Sequence, residues 1–332
     1  MHFCQDSDWT PARQYPSKSL GNARQAGRVM ESPMFRTFTA TVAAAALLAL
    51  PALAQPVTIE TATGPVELEA APETVAVYDM AALDTLDALG VPVAASIGNI
   101  MVDYLTQYEG DIGTLFEPDF EALYALGPDL VVAGGRSASQ VTELQKYATT
   151  IDMTTMGGDQ YATTLARLDA YGKLFGLEDK AAELADALNT QLEATKAAAE
   201  GAGNALMILT NGPKISAYGG GSRFGWLHGA LDLPEAVADV EDTTHGEAIS
   251  FEFIAEANPD WLLVIDRVAA IGAEGDSAQA TLDNALVAET NAWKNGHVVY
   301  LNAADIYISG GGYTSTMNTL KLLEKAFGGA AS

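Results

Sequence analysis

Downstream of residue 54 the chain contains only four arginines: Arg136, Arg167, Arg223 and Arg267. Three of them close apolar or glycine-rich stretches. Arg136 follows Leu130-Val-Val-Ala-Gly-Gly, Arg267 follows Trp261-Leu-Leu-Val-Ile-Asp, and Arg223 follows Ser216-Ala-Tyr-Gly-Gly-Gly-Ser222. A guanidinium is permanently charged and presents its N–H donors as a planar fork, so three of them in one cleft predict an anionic, oxygen-rich ligand. The competing possibility is pairing with nearby acids, for which Asp266 beside Arg267 is well placed. Arg167 falls within a helical stretch and reads as a solvated surface charge.

Histidine is as scarce, with His228, His245 and His297 beyond residue 54. His245 stands in the polar run Glu241-Asp-Thr-Thr-His245-Gly-Glu247, ahead of a helix starting near Phe251, where an imidazole could reach a cleft. His228 reads as a packed helix residue and His297, after Gly296, as a turn residue. No two histidines have the spacing of a hydrolytic zinc site. Tyr307 lies just after a predicted strand at 298–301 and before Gly310-Gly-Gly312. A phenolate is a hard oxygen donor suited to ferric iron, although such a ring taken alone reads as a stacking or core residue. The glycine runs 219–221 and 310–312 match neither a dinucleotide nor a phosphate loop, and read as loops that let a bulky ligand approach backbone.

These residues need elements to hold them. Short β-branched runs alternate with helical patterns at 74–78, 80–89, 91–96, 121–126 and 130–133, and a second series runs from 205 to 301. Such alternation predicts βαβ units and a mostly parallel sheet. Between the series, about 161–200, Leu165, Leu168, Tyr171 and Leu174 and then Ala181, Leu184, Leu188 and Leu192 recur at helical spacing, with a break at Gly176. An internal repeat ties the halves together. The segment Glu121 to Arg136 matches Glu252 to Arg267, with identity at Glu, Pro128/Pro259, Asp129/Asp260 and Arg. Each copy reads as helix, Pro-Asp turn, buried strand, arginine. Both arginines therefore emerge at the carboxyl end of a strand, the edge at which open α/β sheets bind ligands. The predicted fold is α/β, with a first lobe at 55–158, a linking helical segment at 159–200 and a second lobe at 201–332.

Composition narrows the partners. There are 332 residues with 17 Lys+Arg against 43 Asp+Glu and a formal charge of -26, which disfavours nucleic acid and anionic membrane surfaces. The single cysteine, Cys4, leaves no disulfide pair and no thiolate cluster for a metal, so metal chemistry must use oxygen or imidazole. Residues 34–54 have a short basic start, an apolar stretch and the triplet Ala52-Leu-Ala54, the pattern of a cleaved secretory signal. Residues 1–33 read as an upstream extension and Met34 as the more plausible initiator. A product free in the periplasm, not membrane-inserted after cleavage, is expected. No nucleophile elbow, zinc motif or paired-carboxylate signature favours a secreted metal-dependent enzyme using His245.

With these residues together, the chain resembles the periplasmic ferric-siderophore binding proteins of ABC importers, particularly the branch taking catecholate siderophores such as petrobactin. The likeness spans essentially the whole chain after the signal. It implies the class III solute-binding fold, two Rossmann-like lobes joined by a long helix. It further implies that Arg136, Arg223 and Arg267 line the cleft, and that His245 and Tyr307 complete the iron shell of a tetradentate siderophore. Glu121 and Glu252 would dock onto the permease. A non-enzymatic monomer follows, with iron-siderophore as cargo and no permanently bound cofactor. Haem and cobalamin binders share this fold, and only the arginine trio with His245 and Tyr307 speaks against them.

Overall fold

The computed structural model describes residues 56–330, apart from positions 70, 156–157, 239, 241–242 and 244. The upstream extension 1–33 and the signal segment 34–54 lie outside the described residues. An antiparallel hairpin of β1 (Val57–Thr61) and β2 (Gly64–Leu68) opens the fold. The first lobe holds β3 (Val75–Val77), β4 (Ala95–Ser96), β5 (Leu130–Ala133) and β6 (Thr150–Asp152), all parallel and ordered β4-β3-β5-β6. The second lobe holds β7 (Ala205–Asn211), β8 (Lys214–Tyr218), β9 (Glu247–Ile249), β10 (Trp261–Asp266) and β11 (Val298–Tyr300), ordered β11-β10-β7-β8-β9. There β11, β10 and β7 are parallel, whereas β8 and β9 are antiparallel additions. The central strands β5 and β10 are covered on both faces, which is why their sequences are unbroken apolar runs rather than alternating ones.

The internal repeat is a structural one. The helices Phe120–Leu126 and Phe251–Ala257 are capped by the Asp119 and Ser250 side chains, and end on left-handed Gly127 and Asn258 at φ 59° and 40°. The left-handed residue, one position before the proline, is what stops each helix. Asp129 then accepts hydrogen bonds from the Glu73 and Thr74 amides at the start of β3, and Asp260 accepts one from the Asn204 amide at the start of β7. In each lobe the Pro-Asp carboxylate thus pins a central strand to its neighbour, β5 to β3 and β10 to β7.

The link between the lobes is two helices, Gln160–Phe175 and Glu178–Ala199, parted at Gly176 with φ 65°. The second is the bridge. Ala181 and Leu184 belong to the apolar core of the first lobe, whereas Leu188 and Ala199 belong to that of the second. At roughly 1.5 Å per residue this helix is about 33 Å long, enough to span both. The terminal helix Tyr313–Ala330 packs along it, with Thr195 donating to the Leu320 carbonyl at 3.1 Å.

Arg167 corrects the sequence reading. It is not a solvated charge but a buried one, 7% exposed, donating to the carbonyls of Glu60 at 2.6 Å and Thr154 at 3.3 Å. Its guanidinium clamps the hairpin and the end of the first sheet onto the linking helix. His228 is buried as expected, with Nδ1 3.0 Å from the Leu233 carbonyl oxygen.

Candidate functional site

Because strands β5 and β10 run parallel to their neighbours, their carboxyl ends deliver Arg136 and Arg267 to the same edge of each lobe. Arg136 lies in the short turn Gly135–Gln140, and Arg267 begins the helix Arg267–Ala270. Between the lobes sits the π-helical turn Ala304–Ile308, which carries Tyr307. A π-turn offsets its hydrogen bonds and leaves carbonyls pointing outward, a geometry that recurs at functional sites.

The three arginines converge on that turn. Arg136 donates to the carbonyls of Tyr307 at 2.6 Å and Ile308 at 3.3 Å, and Arg223 donates to the Tyr307 carbonyl at 2.8 Å. Arg267 Nε donates to the Tyr307 hydroxyl at 3.1 Å while its Nη1 donates to Asn211 Oδ1 at 3.2 Å. The guanidinium carbons of Arg136 and Arg223 each stand 4.8 Å from the centre of the Tyr307 ring, and that of Arg267 stands 6.0 Å away. Arg136 comes from the first lobe and Arg223 and Arg267 from the second. Like charges this close repel, and the carbonyl dipoles and the ring face offset that repulsion.

Among the described residues none of the three arginines forms an ion pair, since the salt bridges found involve only lysines. Asp266, the obvious partner in the sequence, is engaged in capping helices through the amides of Ala269 and Ala278. Each guanidinium has five N–H donors, and Arg223 donates one of them to the Tyr307 carbonyl. Burial and the neighbouring Arg136 charge pull the Arg223 guanidinium down to about 10, so it remains a cation at neutral pH. Burial by itself would raise the Tyr307 phenol, but the Arg267 hydrogen bond and the three guanidinium charges outweigh it and hold the phenol below its ordinary value.

Residues without a prior role complete the cluster. Asn211, at the end of β7, orients Arg267. Phe224 lies under the Arg223 guanidinium at 4.7 Å, and Tyr218 meets Phe224 edge-on at 4.8 Å. Burial pushes the Tyr218 phenol up to about 12, so it stays protonated and can donate. Tyr218 stood in the sequence next to the glycine run that leads to Arg223, which was the one available signal.

His245 is exposed, in the turn ahead of β9. Its neighbour Gly246, at φ 70°, lies where a Cβ would meet the Tyr218 ring. The second glycine run, 310–312, differs from expectation. A Cβ on Gly311 would overlap the Thr155 hydroxyl and one on Gly312 the Asp84 carboxylate. This run serves close packing of the π-turn against the first lobe, not approach of a ligand.

That packing is polar and buried. Asp84, fully buried in the first lobe, accepts from the Thr314 and Ser315 amides at 2.7 and 2.8 Å and from the Tyr104 hydroxyl at 3.1 Å. The carboxylate caps the terminal helix across the junction of the lobes, and burial raises it above the ordinary range. Asp305, inside the π-turn, is pushed up to about 6 by burial. Tyr307 thus projects from a turn anchored to the first lobe and held by arginines of both.

Glu121 and Glu252 are exposed in the first turns of the pseudo-equivalent helices. Each helix runs antiparallel to the strand that follows it, so both glutamates lie at the edge that carries the arginines. A hydrogen bond with Ser250 and the first-turn amide holds the Glu252 carboxyl below the ordinary range.

A family model described as "Periplasmic binding protein" matches residues 75–304. The chain is 37% identical over 257 residues to the petrobactin-binding protein YclQ of Bacillus subtilis (strain 168), covering 75% of this chain and 81% of that one. The crystal structure of YclQ superposes with a TM-score of 0.76 at 34% identity, over 82% of this chain and 99% of the other. The ferric-anguibactin-binding protein FatB of Vibrio anguillarum (strain ATCC 68554 / 775) is 32% identical over 273 residues, 79% of this chain and 85% of that one. The periplasmic catecholate-siderophore binding protein VctP from Vibrio cholerae matches at 31% identity with a TM-score of 0.76, over 82% of this chain and 100% of that one.

Proposed function

Since the chain belongs to the periplasmic binding protein family, we propose that it is a non-enzymatic receptor that captures an anionic ferric siderophore of catecholate type between its lobes and delivers it to the permease of an ABC importer. The observation that carries this reading is the convergence of Arg136, Arg223 and Arg267 on Tyr307, with no acid paired to any of them among the described residues. A ferric catecholate is a bulky chelate rich in anionic oxygens, and forked donors from both lobes suit it. The names of YclQ, FatB and VctP, each given for a siderophore it binds, point the same way.

Iron arrives as cargo inside the chelate. A siderophore with four donors leaves two iron positions open, and Tyr307 is the residue suited to fill one of them. His245 is the candidate for the other. Glu121 and Glu252 are the permease contacts. A monomer working in the periplasm, after removal of residues 34–54, fits this role, with 55–158 and 201–332 as the two lobes and 159–200 as the link.

Tryptophan fluorescence titrated with a ferric bis-catecholate, a ferric hydroxamate, haemin and cobalamin tests the reading. Selective quenching by the first is expected, together with a visible charge-transfer band that shifts in Tyr307→Phe. Phenolate ligation expels the phenol proton, so affinity should rise with pH up to the Tyr307 pKa and then level, and Tyr307→Phe should flatten that slope. Quenching by cobalamin or haemin without response to ferric catecholates would overturn the assignment.

A further inference from the structure

Among the described residues the large hydrophobic side chains that stand exposed are Phe116, Tyr124 and Tyr147, at 61%, 75% and 43%. All three surround one helix, Phe120–Leu126, the helix that carries Glu121. Tyr124 is three residues beyond Glu121 and four beyond Phe120, hence on a shared face. Phe120 in turn stacks on Tyr147 with ring centres 5.0 Å apart. Exposed aromatics gathered around one helix point to an interaction surface.

The patch is held rigidly. Phe116 sits at the tip of a tight turn closed by the Gly113–Pro118 bridge, where Gly113 has φ 96° and the Thr114 hydroxyl oxygen accepts from the Phe116 and Glu117 amides. Gln140, four residues after Arg136, donates to the Phe116 carbonyl at 3.0 Å and fixes the tip near the ligand edge. An aromatic presented in advance loses little conformational freedom on docking.

The pseudo-equivalent helix of the second lobe lacks these features. There Ala255 stands where the first lobe has Tyr124, and Phe251 and Phe253 are partly buried against their own core. The two halves of the surface therefore share a glutamate but not an anchor.

We propose, resting on the permease reading above, that Phe116, Tyr124 and Tyr147 form an apolar anchor beside Glu121 that inserts into the outer face of the permease, giving the first lobe a contact the second cannot make. The occupant is fixed by charge. The exposed acids Glu117, next to Phe116, and Glu121, on the helix of Tyr124, call for a cationic rim around an apolar recess. A second copy of a chain with a formal charge of -26 would bring like charges together instead. Docking is consequently directional, with the lobes not interchangeable.

Uptake of a radiolabelled ferric bis-catecholate, in cells carrying the full chain as the sole copy of its gene, reads the anchor directly. The Phe116→Ser/Tyr124→Ser double variant is expected to lower uptake about tenfold or more, with chelate affinity by fluorescence and the melting temperature unchanged, and Tyr124→Phe should restore it when paired with native Phe116. Wild-type uptake by the double variant would overturn the anchor. If Glu121→Arg abolishes uptake in that case, only the anchor falls; if Glu121→Arg is also silent, the permease reading falls with it.

Discussion

Replacing Arg223 by alanine is expected to weaken binding of a ferric bis-catecholate by about tenfold to a hundredfold. A charge-assisted hydrogen bond is worth about 1.5 to 3 kcal/mol net, and about 1.4 kcal/mol is a tenfold change in affinity. Arg223 is the residue to choose because it forms no ion pair among the described residues and its charge persists at neutral pH. It also stands over Phe224, so its orientation is set before the ligand arrives. Arg223→Lys should recover part of the loss, since one ammonium supplies charge without the planar fork. The overall charge of -26 opposes an anionic ligand at long range, but screening beyond about 8 Å at physiological salt leaves the local guanidinium groups in control. Calorimetry on the purified variants gives the number, and unchanged affinity in Arg223→Ala would remove that residue from the site.

Reversing the charges proposed for docking, Glu121→Arg with Glu252→Arg, is expected to abolish delivery while leaving capture intact. Placing like charges across an interface costs several kcal/mol, which corresponds to a loss on the order of a hundredfold or more. Both side chains are exposed, and the cost of a cation in the first turn of each helix is about 1 kcal/mol or less, so the fold persists. Chelate affinity measured by fluorescence should match the wild type, whereas permease-dependent uptake should vanish. Loss of affinity, or undiminished uptake, would show that these glutamates do something else.

The strand ends were legible because a parallel βαβ lobe turns a local pattern into a position. A helix, a Pro-Asp turn, a buried strand and an arginine, repeated 131 residues apart, put Arg136 and Arg267 at corresponding edges. The bridging helix was legible for a similar reason, since Ala181, Leu184 and Leu188 keep helical spacing from one core into the other. What escaped were features decided by distant partners. Arg167 looks solvated in its own helix and becomes a buried clamp only because the hairpin and β6 bring the Glu60 and Thr154 carbonyls to it.

The hairpin β1–β2 and the antiparallel strands β8 and β9 were missed as well. Their sequences are short, mixed in polarity and partly exposed, so periodicity carries little signal. The glycines at 311 and 312 were read for their freedom, whereas their lack of a Cβ beside Thr155 and Asp84 is what the fold uses. Tyr307 was legible as an oxygen donor by residue type, but its π-turn and the arginines bonded to its carbonyl depend on tertiary contacts.

The most direct measurement is anomalous diffraction at the iron edge from crystals grown with a ferric bis-catecholate. One iron peak is expected between the lobes, within bonding distance of the Tyr307 hydroxyl, with catecholate oxygens on the Arg136, Arg223 and Arg267 guanidinium groups. An iron peak away from Tyr307, or a chelate held without those arginines, would contradict it.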